Sequence, residues 1–156
     1  MKKLLIKGIT LMVLLTVMSC GASKDPVEYN NAVITVINGS GAYIGKMNAA
    51  MESKNYDEAE KVRVDWAKAV DADIKKMEEI GDFNGDAGLQ NAVLKGLKGY
   101  KKIVDQDYPK LIDIRKNNKE DVRVEQTALE NINKAFENMA NGVNEASNNF
   151  EKTYKK

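Results

Sequence analysis

The chain reads as all-α, a single up-and-down antiparallel four-helix bundle preceded by a leader. Three observations predict it. Apolar residues recur at steps of three, four and seven through most of the sequence. Only two prolines interrupt 156 residues. Short polar turns separate four amphipathic segments, which favours antiparallel neighbours.

The first helix opens at Asp25-Pro26, since Asp can cap a helix and Pro fits its first turn. Val27, Ile34, Ile37, Gly41, Ile44, Met47 and Met51 form its expected stripe, ending near Ser53. A rival reading exists over residues 32–45. Ala32 to Ile37 is rich in β-branched residues, and Asn38-Gly39 is a hairpin-turn signal. Helix is favoured because a lone hairpin has no sheet to join. Gly39 and Gly41 should loosen or kink it.

The second helix, capped by Asn55 or Asp57, carries Ala59, Val62, Trp66, Val70, Ile74, Met77 and Ile80 on one face. Gly81 ends it, and 82–86 forms a loop. Helix three begins near Asp86 and carries Leu89, Val93, Leu97, Tyr100, Val104, Tyr108, Leu111 and Ile114. Pro109 sits inside that pattern, so a kink or break is expected at Asp107-Tyr108. After Asn117-Asn118 the last helix shows Val122, Leu129, Ile132, Phe136, Met139, Val143, Ala146, Phe150 and Tyr154. Its Asn-rich outer face lowers helix propensity and makes it lean on packing.

The leader, MKKLLIKGITLMVLLTVMSC, has Lys2, Lys3 and Lys7 ahead of an apolar core from Leu11 to Met18. That run is short of the about 20 residues a spanning helix needs and has the layout of a cleavable secretory signal. It resembles a bacterial lipoprotein signal, with Val17-Met18-Ser19-Cys20 as lipobox. The resemblance implies cleavage before Cys20 and acylation (a palmitate-type lipid) of its sulfur and new amino terminus. The expected organisation is residues 1–19 as signal, 20–25 as lipidated cysteine and tether, and 26–156 as the bundle. Gly21 after the cysteine resembles the outer-membrane-destined class.

Composition narrows function. The leader holds three of the 24 basic residues and no acidic ones, leaving a net charge of −2 from Cys20 onward. A near-neutral chain argues against nucleic acid as partner. Cys20 is the single cysteine, so its lipidation leaves no thiol for a disulfide or metal. The chain has no histidine, which removes the usual general base and zinc ligand.

Several motifs have a chemical and a plain reading. Asp82, Asn84 and Asp86 alternate as calcium ligands do, but an EF-hand wants Gly and Glu where Ala87 and Val93 stand, so capping of a turn is the better account. The lysines of 95–102 could face an anionic polymer or lipid, yet at helical period they read as a solvated face. Glu58, Glu60, Asp65, Asp71 and Asp73 are interleaved with Lys61, Arg63 and Lys68, which suggests ion pairing rather than acid–base chemistry. Trp66, Tyr100, Tyr108 and Phe136 could line a ligand groove between helices, with the Pro109 kink opening space; on core stripes they would simply pack.

At Asp25-Pro26-Val27-Glu28-Tyr29-Asn30-Asn31, and again at Phe83-Asn84-Gly85-Asp86 with Leu89, Leu97 and Tyr100, the chain resembles small uncharacterised helical surface and outer-membrane lipoproteins of diderm bacteria. That resemblance implies location and fold and transfers no catalytic residue. The expectation is therefore a non-enzymatic interaction or binding module, held on the cell envelope by its lipid and facing an envelope protein, polymer or host surface. The covalent lipid at Cys20 is the only attached group expected, with no cofactor or metal. A small-ligand binder with a pocket near Pro109 is the alternative.

Overall fold

The computed structural model describes residues 24–154; Cys20 and the rest of the leader lie outside them. Four helical rods form the bundle. The first is α1 (Pro26–Glu52) and the second α2 (Tyr56–Ile80). The third is a composite of α3 (Gly88–Lys102), a π-turn (Ile103–Asp107) and α4 (Tyr108–Lys116). The fourth is α5 (Val122–Tyr154). No strand occurs among the described residues.

The caps follow from local chemistry. Asp25 Oδ1 accepts from the amides of Val27 and Glu28 at 2.8 and 2.9 Å, with Pro26 in the first turn. Asn55, of the two candidate caps, starts α2 by accepting from Glu58 N at 3.2 Å. Gly81 closes α2 at φ +70° and Gly85 turns the following loop at φ +93°, both in the left-handed region that favours glycine. Asp121 Oδ1 accepts from Val124 N at 3.1 Å as α5 begins.

α1 packs along α2, and the composite third rod along α2 and α5. The core is continuous from end to end, with Val33, Met47, Trp66, Val70, Met77, Val93, Leu97, Val104 and Met139 closed to solvent. Every stripe residue of the third rod is buried as its spacing predicts. In α2, Ile74 and Ile80 are only partly covered and the other five are buried. At the closed end of the bundle Tyr29, Phe83, Phe150 and Tyr154 form an aromatic cluster, with ring centroids 4.7 to 5.4 Å apart.

α1 differs from expectation in its rotation. It is a continuous helix across 32–45, so the hairpin does not form. Its buried face is Tyr29, Asn30, Val33, Val36, Ser40, Met47 and Ala50, whereas Val27 and Ile34 of the expected stripe are 51% and 45% exposed. Between Glu28 and Lys46 the helix has no charged residue, so periodicity alone could not choose its inner face. Two specific contacts choose it: Tyr29 joins the aromatic end cluster, and Ser40, fully buried, donates to Asp73 Oδ2 at 2.6 Å. Gly39 makes room for that carboxylate, because a Cβ there would lie 2.8 Å from Asp73 Oδ1.

Pro109 neither breaks nor ends the third rod. The chain inserts a π-turn instead: Tyr108 N donates to Ile103 O, five residues back. The carbonyl of Val104, which a regular α-turn would have paired with Tyr108, accepts from Arg63 Nη1 at 3.0 Å. The extra residue relieves the proline clash and leaves no buried carbonyl stranded at that position.

Candidate functional site

The four aromatic residues singled out in the sequence do come together. Trp66 lies 5.8, 5.7 and 6.4 Å from the ring centroids of Tyr100, Tyr108 and Phe136, and Tyr100 lies 5.7 Å from Phe136. They pack as core: Trp66 is fully buried, Tyr100 and Tyr108 nearly so, and Phe136 partly. The larger cavities around the bundle are lined by other residues. Burial pushes the Tyr100 and Tyr108 hydroxyls above the ordinary phenol range. The Trp66 indole N–H meets no oxygen or nitrogen acceptor among the described residues.

Against that cluster, on the α5 side of the π-turn, sits the feature that the sequence reading passed over. Asp107 is only 3% exposed. Its Oδ1 accepts from Asn131 Nδ2 at 2.9 Å, while Oδ2 is buried and has no donor among the described residues. A buried carboxylate oxygen without a partner is costly. A cavity of about 270 Å³ adjoins it, lined by Asp107, Lys110, Arg123, Val124, Thr127 and Ala128. Lys110 and Arg123 are exposed at its mouth and form no ion pair among the described residues. A signal was available: Asp107 stands three residues after Val104 and four before Leu111, on the apolar stripe itself.

The remaining candidates resolve into structural roles. In the 82–86 loop, Asp82 Oδ1 accepts from Gly85 N at 3.0 Å and Asp86 Oδ1 from Gly88 N at 2.8 Å. Asp86 Oδ2 accepts from the Tyr154 hydroxyl at 3.0 Å, and Asn84 Oδ1 from Lys24 N at 3.2 Å. These oxygens are spent on the turn and on the ends of the bundle. Among the described residues no group of three or more acidic side chains is gathered as a metal site.

The carboxylates of α2 are mostly paired. Glu60 is held by Arg63 (Nε to Oε2, 2.8 Å), whose hydrogen bond keeps its carboxyl below the usual range. Asp71 accepts from Lys101 at 2.8 Å, and Lys101 also reaches Asp105 at 3.1 Å, so its ammonium is held above its ordinary value. Lys95, Lys98 and Lys102 are exposed. Gly96, between them, is a close-approach point: a Cβ there would lie 1.9 Å from Met139 Sδ.

Lys24, just ahead of α1, is tied to the closed end. Its Nζ donates to the carbonyls of Ile80 and Asp82 at 2.6 and 2.5 Å, where the C-terminal dipole of α2 favours a cation. The same ammonium stands 5.5 Å from the Tyr29 ring centroid. No described helix is long and apolar enough to cross a membrane. No family model, curated protein or solved structure matches this chain.

Proposed function

We propose that this is an envelope lipoprotein, anchored through lipid on Cys20, whose bundle serves as a non-enzymatic interaction module. The observation that best supports the reading is the Lys24 clamp. Lys24 stands four residues after Cys20, a reach of at most about 14 Å. A lipid at Cys20 would therefore keep the 81–86 end close to the bilayer. α1 spans about 40 Å at 1.5 Å per residue, so the opposite end would be the presented one. That end carries an open groove of mixed chemistry, including Met51, Tyr56, Ile114, Arg115, Val122 and Glu125. The outer membrane, an envelope protein, polymer or host surface as partner, and the absence of catalysis all belong to this proposal.

Fractionation tests the anchor: Cys20→Ser should move the protein from the membrane to the soluble fraction, and unchanged retention overturns the lipid reading. Cross-linking in intact envelopes tests the orientation. A photoreactive group at Lys119 should capture partners that one at Asn84 does not, and equal capture from both sites overturns it.

A second reading, a small-ligand binder beside Pro109, is favoured by one observation. The orphaned Asp107 oxygen adjoins a cavity between the third rod and α5.

A further inference from the structure

We infer that the Asp107 cavity is a binding site for a small zwitterion, a molecule with a primary ammonium at one end and a carboxylate at the other. The inference rests on the ligand-binding reading above and is independent of the lipid anchor.

The floor of the cavity supplies half of the recognition. Asp107 is held in place through Oδ1 by Asn131, which leaves Oδ2 as a fixed acceptor. Thr127, one helical turn before Asn131 on α5 and exposed at the rim, donates its hydroxyl to Arg123 O at 2.8 Å and so keeps its lone pairs free to accept. An ammonium is donor-only and would satisfy Asp107 Oδ2. Such a charge-assisted bond is stronger than a neutral one.

The mouth supplies the other half. Lys110 and Arg123 are unpaired cations one layer out from Asp107, and they would repel a simple cation while attracting an anionic tail. Val124 and Ala128 provide an apolar wall for the carbons between the two charges. A site with carboxylate inside and cations outside matches a dipolar ligand better than a cation or an anion alone.

The π-turn is what puts Asp107 there. The inserted residue lets Tyr108 keep its place in the aromatic core while its neighbour Asp107 bonds to Asn131 of α5, and π-turns inside helices are frequent at functional sites. The 270 Å³ volume is far above the ~10–15 Å³ of probe volume that one water requires. Oδ2 itself is sealed from solvent, so an entering ammonium must displace a lining side chain. The exposed Lys110 and Arg123 can move without disturbing the core.

The test is titration of the full-length, ¹⁵N-labelled protein with glycine, β-alanine and 4-aminobutanoate, with methylammonium and acetate as single-charge probes. At least one amino acid should bind ten-fold or more tightly than either single-charge probe, shifting the amides of Asp107, Tyr108 and Lys110 and of 123–131. Asp107→Asn keeps the size and the Asn131 contact and should weaken binding at least ten-fold. The exposed pair Lys110→Gln/Arg123→Gln, which leaves the core untouched, should weaken the amino acid and leave methylammonium no weaker. Equal binding of methylammonium and the amino acids overturns the zwitterion assignment while leaving a ligand site. Absence of shifts in these segments with every probe overturns both the zwitterion and the ligand-binding reading, and Asp107 is then a purely structural acid.

Discussion

Arg63 donates from Nη1 to the carbonyl of Val104 at 3.0 Å, across from α2 to the third rod. This bond and the proline five residues after Val104 are two parts of one solution. Pro109 makes a regular α-turn unfavourable, the π-turn removes Tyr108 as partner for Val104 O, and the guanidinium replaces it.

Removing Arg63 should therefore cost more than a surface ion pair would. Arg63→Ala leaves a buried carbonyl unpaired, and about 1.5–3 kcal/mol is at stake for a bond from a charged donor. Denaturant unfolding measures it. In a Pro109→Ala background the third rod can return to regular helix, Tyr108 can pair with Val104 O, and the cost of Arg63→Ala should shrink. Additive effects of the two substitutions would show that the arginine and the proline are not coupled.

Gly39 and Gly41 of α1 should respond in opposite directions. A Cβ on Gly41 meets nothing within 4 Å, so Gly41→Ala should stabilise by about 0.5–1 kcal/mol through helix propensity. A Cβ on Gly39 would collide with the Asp73 carboxylate at 2.8 Å and disturb the bond from buried Ser40. Gly39→Ala should lower stability by about 1–3 kcal/mol, read as a fall in melting temperature of several degrees. Equal gains from both would mean that α1 does not sit against Asp73 this way.

The contrast between those positions also marks what the sequence could and could not convey. α2 and the third rod were legible because charged residues flank their apolar stripes and define an inside. α1 offers apolar or neutral groups almost all round, and its rotation is fixed by Tyr29 and Ser40 making contacts with residues far along the chain. The four aromatics fell together because each stood on a well-marked stripe. Asp107 was hidden for a different reason. A proline in a helical pattern predicts disruption, but spacing does not distinguish a kink from an inserted residue. Only the inserted residue turns Asp107 toward a cavity shared with α5.

Gly96 permits the third rod to lie directly on α5. A methyl group there would overlap Met139 Sδ at 1.9 Å and press on its Cβ at 3.3 Å, in a side chain that is almost fully buried. Gly96→Ala should destabilise by about 1–3 kcal/mol despite its better helix propensity. Combining it with Met139→Ala should cost less than the sum of the two single changes, since each substitution removes part of the other's fault. Chemical unfolding of the four proteins closes that cycle, and strict additivity would remove Met139 as the cause.

Alkaline unfolding should report the aromatic end cluster. The Tyr29 hydroxyl is pushed up to about 12, first by burial and then by the Asp82 and Asp86 carboxylates. Tyr154 is raised chiefly by its hydrogen bond to Asp86, and Tyr100 and Tyr108 by burial. A group whose folded value is raised stabilises the fold below its unfolded value and loses that contribution as pH climbs to the folded one. For Tyr29 the loss runs from about pH 10 to about pH 12. Stability measured across that window should fall steeply, and Tyr29→Phe should flatten the fall. The substitution also removes the bond from the Tyr29 hydroxyl to Gly81 O, at 3.1 Å, so the variant should start from a lower plateau at neutral pH. An unchanged slope above pH 10 in Tyr29→Phe would place the alkaline sensitivity with Tyr154 and the core tyrosines, Tyr100 and Tyr108, instead.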